Sequence, residues 1–223
     1  PHIPELADQH ADTGFGKRSA TLDLATDRRT FEELLGAADV VVTGYRPGAL
    51  DRFGLSAEAL AERRPGVAVA QLSAWGAYGP WAERRGFDSL VQAATGIAVL
   101  EGSTGRPGAL AAQALDHGTG YLLAAAVLRA LTVQAREGGS RFVRLALART
   151  ALWLTEGAGG AAGEAAVGDA EPALYDGPEP WISETESALG RLRYALSPVS
   201  FEGGPVDWDR PPAPWGTEAP RWG

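Results

Sequence analysis

The feature that most limits how this chain can fold is a set of short, wholly apolar runs separated by helix-period segments. Val40-Val41-Val42 and Val67-Ala68-Val69-Ala70-Gln71-Leu72 have strand length and β-branched content. Neither alternates apolar with polar residues, as a strand with one wet face would. Strands covered on both faces belong to parallel sheets flanked by helices. The intervening residues fit that reading. Thr26-Asp27 is an N-cap pair, and Phe31, Leu34, Leu35 and Ala38 follow at helical spacing. Thr21-Leu22-Asp23-Leu24 reads as one more short strand, which makes residues 21–42 a compact βαβ unit.

The alternation continues. Ser56 caps a short helix that Pro65 must end. A Gly/Trp/Tyr/Pro loop spans 73–86, a helix is expected over 88–98, and a Gly/Pro loop over 101–109. A longer helix is expected from Asp116 to Arg136. Its apolar residues (Leu122, Leu123, Ala126, Val127, Ala130) lie nearly all round, which predicts a central position. A glycine turn then leads to a strand over 141–147 and a helix to Thr155.

Three regions follow from this. Residues 1–156 form an α/β domain that begins with an extended lead-in over 1–16. Residues 157–170, almost only Gly, Ala, Glu, Asp and Val, form a linker. Residues 171–223 form a return segment and an extended tail. Prolines 205, 211, 212, 214 and 220 prevent regular structure there. Trp208, Trp215 and Trp222 predict that the tail packs on the body or on a second chain.

Composition removes several function classes. The net charge of −8 repels phosphate backbones, so nucleic acid is not an expected partner. With no cysteine there is no disulfide, thiolate zinc site or cysteine nucleophile, which suits the cytoplasm. The absence of methionine and the start at Pro1 mark a processed or partial amino terminus. The longest apolar run, 118–128, is too short to cross a bilayer and meets Arg129. His2, His10 and His117 show no metal-ligand spacing, so no metal is expected. Ser73 lacks the G-x-S-x-G elbow and reads as a turn residue.

Two features carry chemistry. Asp116 opens the long helix, in Ala114-Leu115-Asp116-His117-Gly118-Thr119-Gly120. As an N-cap it would satisfy free backbone N–H groups. The same position suits an oriented, ionised carboxylate nucleophile, and the glycines would admit a ligand close to the backbone. The second feature is basic. Arg46 and Arg52 flank Pro47-Gly48 just after a strand, with Arg84 and Arg85 further on. Loops at the carboxyl ends of parallel strands are where α/β sheets bind ligands.

At these residues the chain resembles family III CoA-transferases, the CaiB/BaiF group. The likeness lies in Gly16-Lys17-Arg18-Ser19 before Thr21-Leu22-Asp23-Leu24, and in Tyr45-Arg46-Pro47-Gly48 through Phe53-Gly54. It continues in Gly86-Phe87-Asp88-Ser89-Leu90-Val91-Gln92-Ala93, in Asp116-x-x-x-Gly120, and in Gly138-Gly139-Ser140-Arg141-Phe142-Val143. The ordered set covers residues 16–153. The resemblance implies a Rossmann-like large domain, present in part. It lacks the amino-terminal nucleotide-binding segment and the family's small domain.

By the resemblance, Asp116 is the catalytic aspartate. Leu22, Tyr45, Arg46, Arg52, Arg85, Phe87 and Asp88 line the coenzyme A site. The implied activity is CoA transfer from an acyl-CoA to a carboxylic acid through an aspartyl-CoA thioester, without a metal. The implied assembly is an interlocked homodimer, or association with a missing amino-terminal half. Two rivals stand beside this. An acyl-CoA racemase of the same superfamily needs a histidine where this chain has Phe87. A non-catalytic CoA-binding half would complete a partner's site.

Overall fold

The computed structural model describes residues 6–159 and 177–222, and divides into two compact units, residues 1–31 with 171–223 and residues 32–170.

The larger unit contains the parallel sheet. Strands β1 (Val40–Thr43), β2 (Ala68–Ser73) and β3 (Arg141–Ala146) lie in the order β1-β2-β3. Val40 pairs with Ala68, and Ala68 with Arg141, both in parallel register. Helix α2 (Arg28–Gly36) precedes β1. Helix α3 (Ala57–Arg63) connects β1 to β2, and the Ser56 hydroxyl caps it by accepting the Ala59 N–H at 3.2 Å. Val67, Val69 and Ala70 are fully buried, as a central parallel strand requires.

Between β2 and β3 come α4 (Asp88–Ala94), α5 (Ile97–Leu100) and α6 (Ala114–Glu137), and α7 (Leu147–Gly159) follows β3. The single helix expected over 88–98 is two. Thr95 closes the first, its N–H bonded to the Val91 carbonyl, and Gly96 at φ 88° turns the chain left-handed before the second. Val91, Ile97, Leu115, Leu147 and Ala151 form one buried cluster joining α4, α5, α6 and α7. Helix α6 is less central than its composition predicts. Leu115, Thr119, Leu123 and Ala130 are buried, whereas Tyr121 and Leu128 on its other faces are exposed.

The strand expected over 21–24 does not form: residues 21–23 are irregular and a turn spans 24–26. The Asp23 carboxylate accepts the Ala25 N–H at 2.8 Å, and its carbonyl accepts Thr26 and Asp27 N–H groups. This local bonding competes with a ladder. The parallel arrangement therefore rests on β1, β2 and β3.

In the smaller unit, residues 7–13 of the expected extended lead-in are helical, as α1 (Ala7–Thr13). No residue of α1 is buried, so its sequence carries no apolar period. A hairpin of β4 (Ile182–Ser187) and β5 (Gly190–Ala195) stands within the return segment. The Pro/Trp tail packs against the amino-terminal residues of the same unit. Phe15 stacks on Tyr194 at 4.2 Å between centroids and tilts against Trp208 at 6.4 Å. The Glu218 carboxylate accepts the Ser19 N–H at 2.8 Å and pairs with Arg210 at 3.3 Å. The linker expected over 157–170 lies outside the described residues beyond Gly159, where α7 ends.

Candidate active site

The carboxyl ends of all three parallel strands open into one cavity of about 790 Å³. Thr43, Leu72, Ser73, Leu145 and Ala146 form its floor. Its size falls within the range of about 300–1,000 Å³ usual for small-molecule sites. Of the residues predicted to bind, Tyr45 and Arg46 line this cavity. Arg46 is braced by donating to the Glu83 carbonyl at 3.2 Å.

Arg52 does not line the cavity; it sits in a short 3-10 turn, its guanidinium 4.7 Å from the Phe53 ring centroid. Arg85 is exposed, and its carbonyl accepts the Trp75 indole N–H at 3.1 Å. Gly86 makes this loop possible: an added Cβ would overlap the Ala74 side chain and lie 2.8 Å from Trp75 Nε1. Phe87 is 68% exposed. Leu22 is half-buried in the smaller unit.

Asp88 occupies a different kind of place. It is 2% exposed, and both carboxylate oxygens are engaged. Oδ1 accepts Gln92 Nε2, and Oδ2 accepts the Asp116 N–H at 3.0 Å. Asp88 stands in the first turn of α4 and reaches the first turn of α6. One buried charge thus meets the positive ends of two helices. Its oxygens face protein donors rather than open space.

This changes the account of Asp116. The N-cap of α6 is Gln113, which makes no side-chain cap bond, and Asp116 lies three residues inside. The cap for the Asp116 N–H comes from another helix. Among the described residues, no hydrogen bond or ion pair engages the Asp116 carboxylate. It is half-buried, next to the fully buried Leu115 that anchors its turn. Burial pushes its carboxyl above the ordinary value of 3.8, the charge of Asp88 adds to the rise, and His117 opposes it. Gly120, one turn along the same helix face, and Gly118 both leave open space: a Cβ at either would meet no atom within 4 Å. The Asp116 carboxylate thus combines raised proton affinity, a fixed backbone and open space at the neighbouring glycines, but Asp116 is not among the residues that line the cavity.

Several site features escaped the sequence reading. Gln92 lies four residues after Asp88, a spacing that pairs side chains on a helix face. Arg149, Trp153 and Glu156 line the cavity from α7, at spacings of four and three that mark one face. Ser73 is the expected turn residue, its hydroxyl accepting the Gly76 N–H at 3.1 Å. Among the described residues no group of three or more His, Cys, Asp or Glu gathers as metal ligands, and no helix is long and apolar enough to cross a membrane.

Comparison with known proteins bears on the family and the fold. The sequence pattern described as CoA-transferase family III matches residues 11–175. The chain is 34% identical over 157 residues to "Probable fatty acyl-CoA transferase Rv3272" of Mycobacterium tuberculosis, covering 69% of this chain and 40% of that protein. It is 33% identical over 135 residues to "Succinyl-CoA--L-malate CoA-transferase beta subunit" of Chloroflexus aurantiacus, covering 59% and 33%. The chain therefore spans well under half the length of these relatives. A crystal structure of Rv3272 superposes with a TM-score of 0.63 at 34% identity, over 70% of this chain and 44% of that one. A CAIB/BAIF family protein from Brucella suis superposes with a TM-score of 0.64 at 27% identity, over 86% and 51%. On the ordered motifs, the parallel sheet and these matches, the chain belongs to CoA-transferase family III.

Proposed function

We propose that this chain supplies the nucleophile of a CoA-transferase, and that Asp116 is that nucleophile. The observation that carries the reading is the Asp116 carboxylate. It is half-buried and engaged by no described side chain, and it is mounted on a helix turn whose backbone is bonded by Asp88.

The chemistry balances as follows. An Asp116 oxygen attacks the acyl-CoA carbonyl carbon, the C–S bond breaks, and a mixed anhydride and CoA thiolate result. The thiolate attacks the aspartyl carbonyl, releasing the first carboxylate and leaving an aspartyl-CoA thioester. An acceptor carboxylate attacks that thioester and expels the thiolate. The thiolate then takes the acceptor's acyl group and frees Asp116. Each intermediate stays activated, so no outside energy source is consumed. In this scheme Tyr45 and Arg46 contact CoA in the cavity. Arg52, Arg85 and Phe87 contribute from exposed loops of the same unit as the cavity. Acyl-CoA and carboxylic acids are the substrates, and the cytoplasm and a homodimer are the setting we infer from family resemblance.

Racemisation at the carbon beside the thioester needs a second proton carrier facing the aspartate. Phe87 has no exchangeable proton, and His117 is the immediate neighbour of Asp116 on the same helix. The transfer reading is therefore preferred. Its test is Asp116→Asn in the full-length protein: transfer from acyl-CoA to an acid should be lost while CoA binding persists. Transfer at the wild-type rate would refute it.

A further inference from the structure

Ala112 and Gln113 hold left-handed backbone, each with φ 53°. Residues with a Cβ adopt this region rarely, and two in succession persist only where the surroundings enforce it. The pair stands directly before α6, three residues from Asp116 at its far side. A single buried pair of side chains fastens the chain on both sides of it. Gln92 Oε1 accepts the Leu110 N–H at 2.8 Å, and Asp88 Oδ2 accepts the Asp116 N–H at 3.0 Å. Gln92 Nε2 donates to Asp88 Oδ1, which closes the link. Gln92 is 4% exposed. Its carbonyl is committed to a backbone donor, so its amide must face the carboxylate. No other polar side chain meets Asp88 Oδ1 among the described residues, and the helix's own N-cap offers no side-chain bond.

We propose that Gln92 is a positioning residue for Asp116. By joining the Leu110 N–H to the Asp88 carboxylate, it holds the left-handed turn and so sets the direction in which the first turn of α6 presents the Asp116 carboxylate. Its meaning for catalysis rests on the transferase reading, whereas the link itself is measurable without turnover.

The test uses the full-length protein with Gln92→Leu and Gln92→Glu. The first has similar size but leaves the Leu110 N–H and one Asp88 oxygen without partners. The second can restore both bonds when its carboxyl is protonated, and opposes Asp88 when ionised. Amide hydrogen exchange over residues 110–116 and the carboxyl titration of Asp116 by NMR report the link. Transfer kinetics report its consequence.

In Gln92→Leu, exchange over 110–116 should quicken at least tenfold while β1, β2 and β3 keep their protection, and the Asp116 titration should move. kcat should fall by about tenfold to a hundredfold with little change in KM for acyl-CoA, as displacement of a reacting group does. Gln92→Glu should regain protection and relative rate as pH is lowered, and it carries the test if Gln92→Leu does not fold. Exchange at the wild-type rate, or quickened exchange with an unmoved titration or unaltered kcat, would overturn the proposal. If the wild type transfers no CoA, the transferase reading falls, and exchange and titration still decide whether Gln92 positions Asp116.

Discussion

Replacing either of two neighbouring carboxylates by its amide should move stability in opposite directions. Asp88 is 2% exposed and accepts two hydrogen bonds as a charged group. An amide offers one acceptor oxygen, so Asp88→Asn keeps one bond and turns an N–H toward the other donor. Gln92 cannot rotate to help, because its oxygen serves the Leu110 N–H. One charged hydrogen bond is worth about 1.5–3 kcal/mol, and Asp88→Asn should cost about that much. Asp116 loses nothing comparable, since no described side chain engages its carboxylate. Its proton affinity is raised by burial and by Asp88. The wild type therefore carries a stability increment that is fully present below the unfolded-state carboxyl value and is lost as pH rises through the higher folded-state value. Asp116→Asn has no such loss. It should match or slightly exceed wild-type stability at neutral pH, and that advantage should shrink as pH falls through the carboxylate range. Urea unfolding at neutral pH and at the acid end of that range measures both. If Asp116→Asn is destabilised as much as Asp88→Asn, Asp116 is a structural cap and the division of labour drawn between them is wrong.

Other consequences are simpler. Arg46→Ala should weaken CoA binding and reduce its salt dependence more than Arg52→Ala does, because Arg46 lines the cavity and Arg52 stacks on Phe53; isothermal titration across a salt series checks the order. Leu115→Ala empties a fully buried position in the cluster joining α4 to α7. It should cost about 2–5 kcal/mol in chemical denaturation and loosen the turn that carries Asp116. The rate of transfer should fall as pH drops through the raised Asp116 value, because the protonated carboxyl is no nucleophile. In Asp88→Asn that acid limb should shift to lower pH.

The parallel sheet was legible because the run through β2 is apolar on both faces, and Val67 through Ala70 are buried as that pattern demands, whereas Val42 of β1 and Phe142 of β3 are exposed. The Ser56 cap was legible because its geometry is local. The hairpin of β4 and β5 was not read, although its signal was present. Glu184 and Glu186 lie across from Arg193 and Arg191, an alternation of opposite charge instead of an apolar one. Helix α1 buries nothing and so left no period to find. At the candidate site, the place of Asp116 in the first turn of a long helix was legible and its local bonding was not. Sequence places a carboxylate at a helix start and predicts a cap. Only the fold shows that a carboxylate 28 residues earlier bonds that N–H instead. The left-handed pair at Ala112 and Gln113 was equally hidden, since neither residue type favours that conformation. Long-range bonding by Gln92 enforces it.

The central claim is that Asp116 is acylated and then carries CoA. The most direct measurement incubates the full-length protein with acyl-CoA, traps with hydroxylamine and maps the modified residue by peptide mass spectrometry. The account predicts a hydroxamate on Asp116 that depends on acyl-CoA and is absent in Asp116→Asn. A hydroxamate on any other residue, or none while the wild type is transferring CoA, would contradict it.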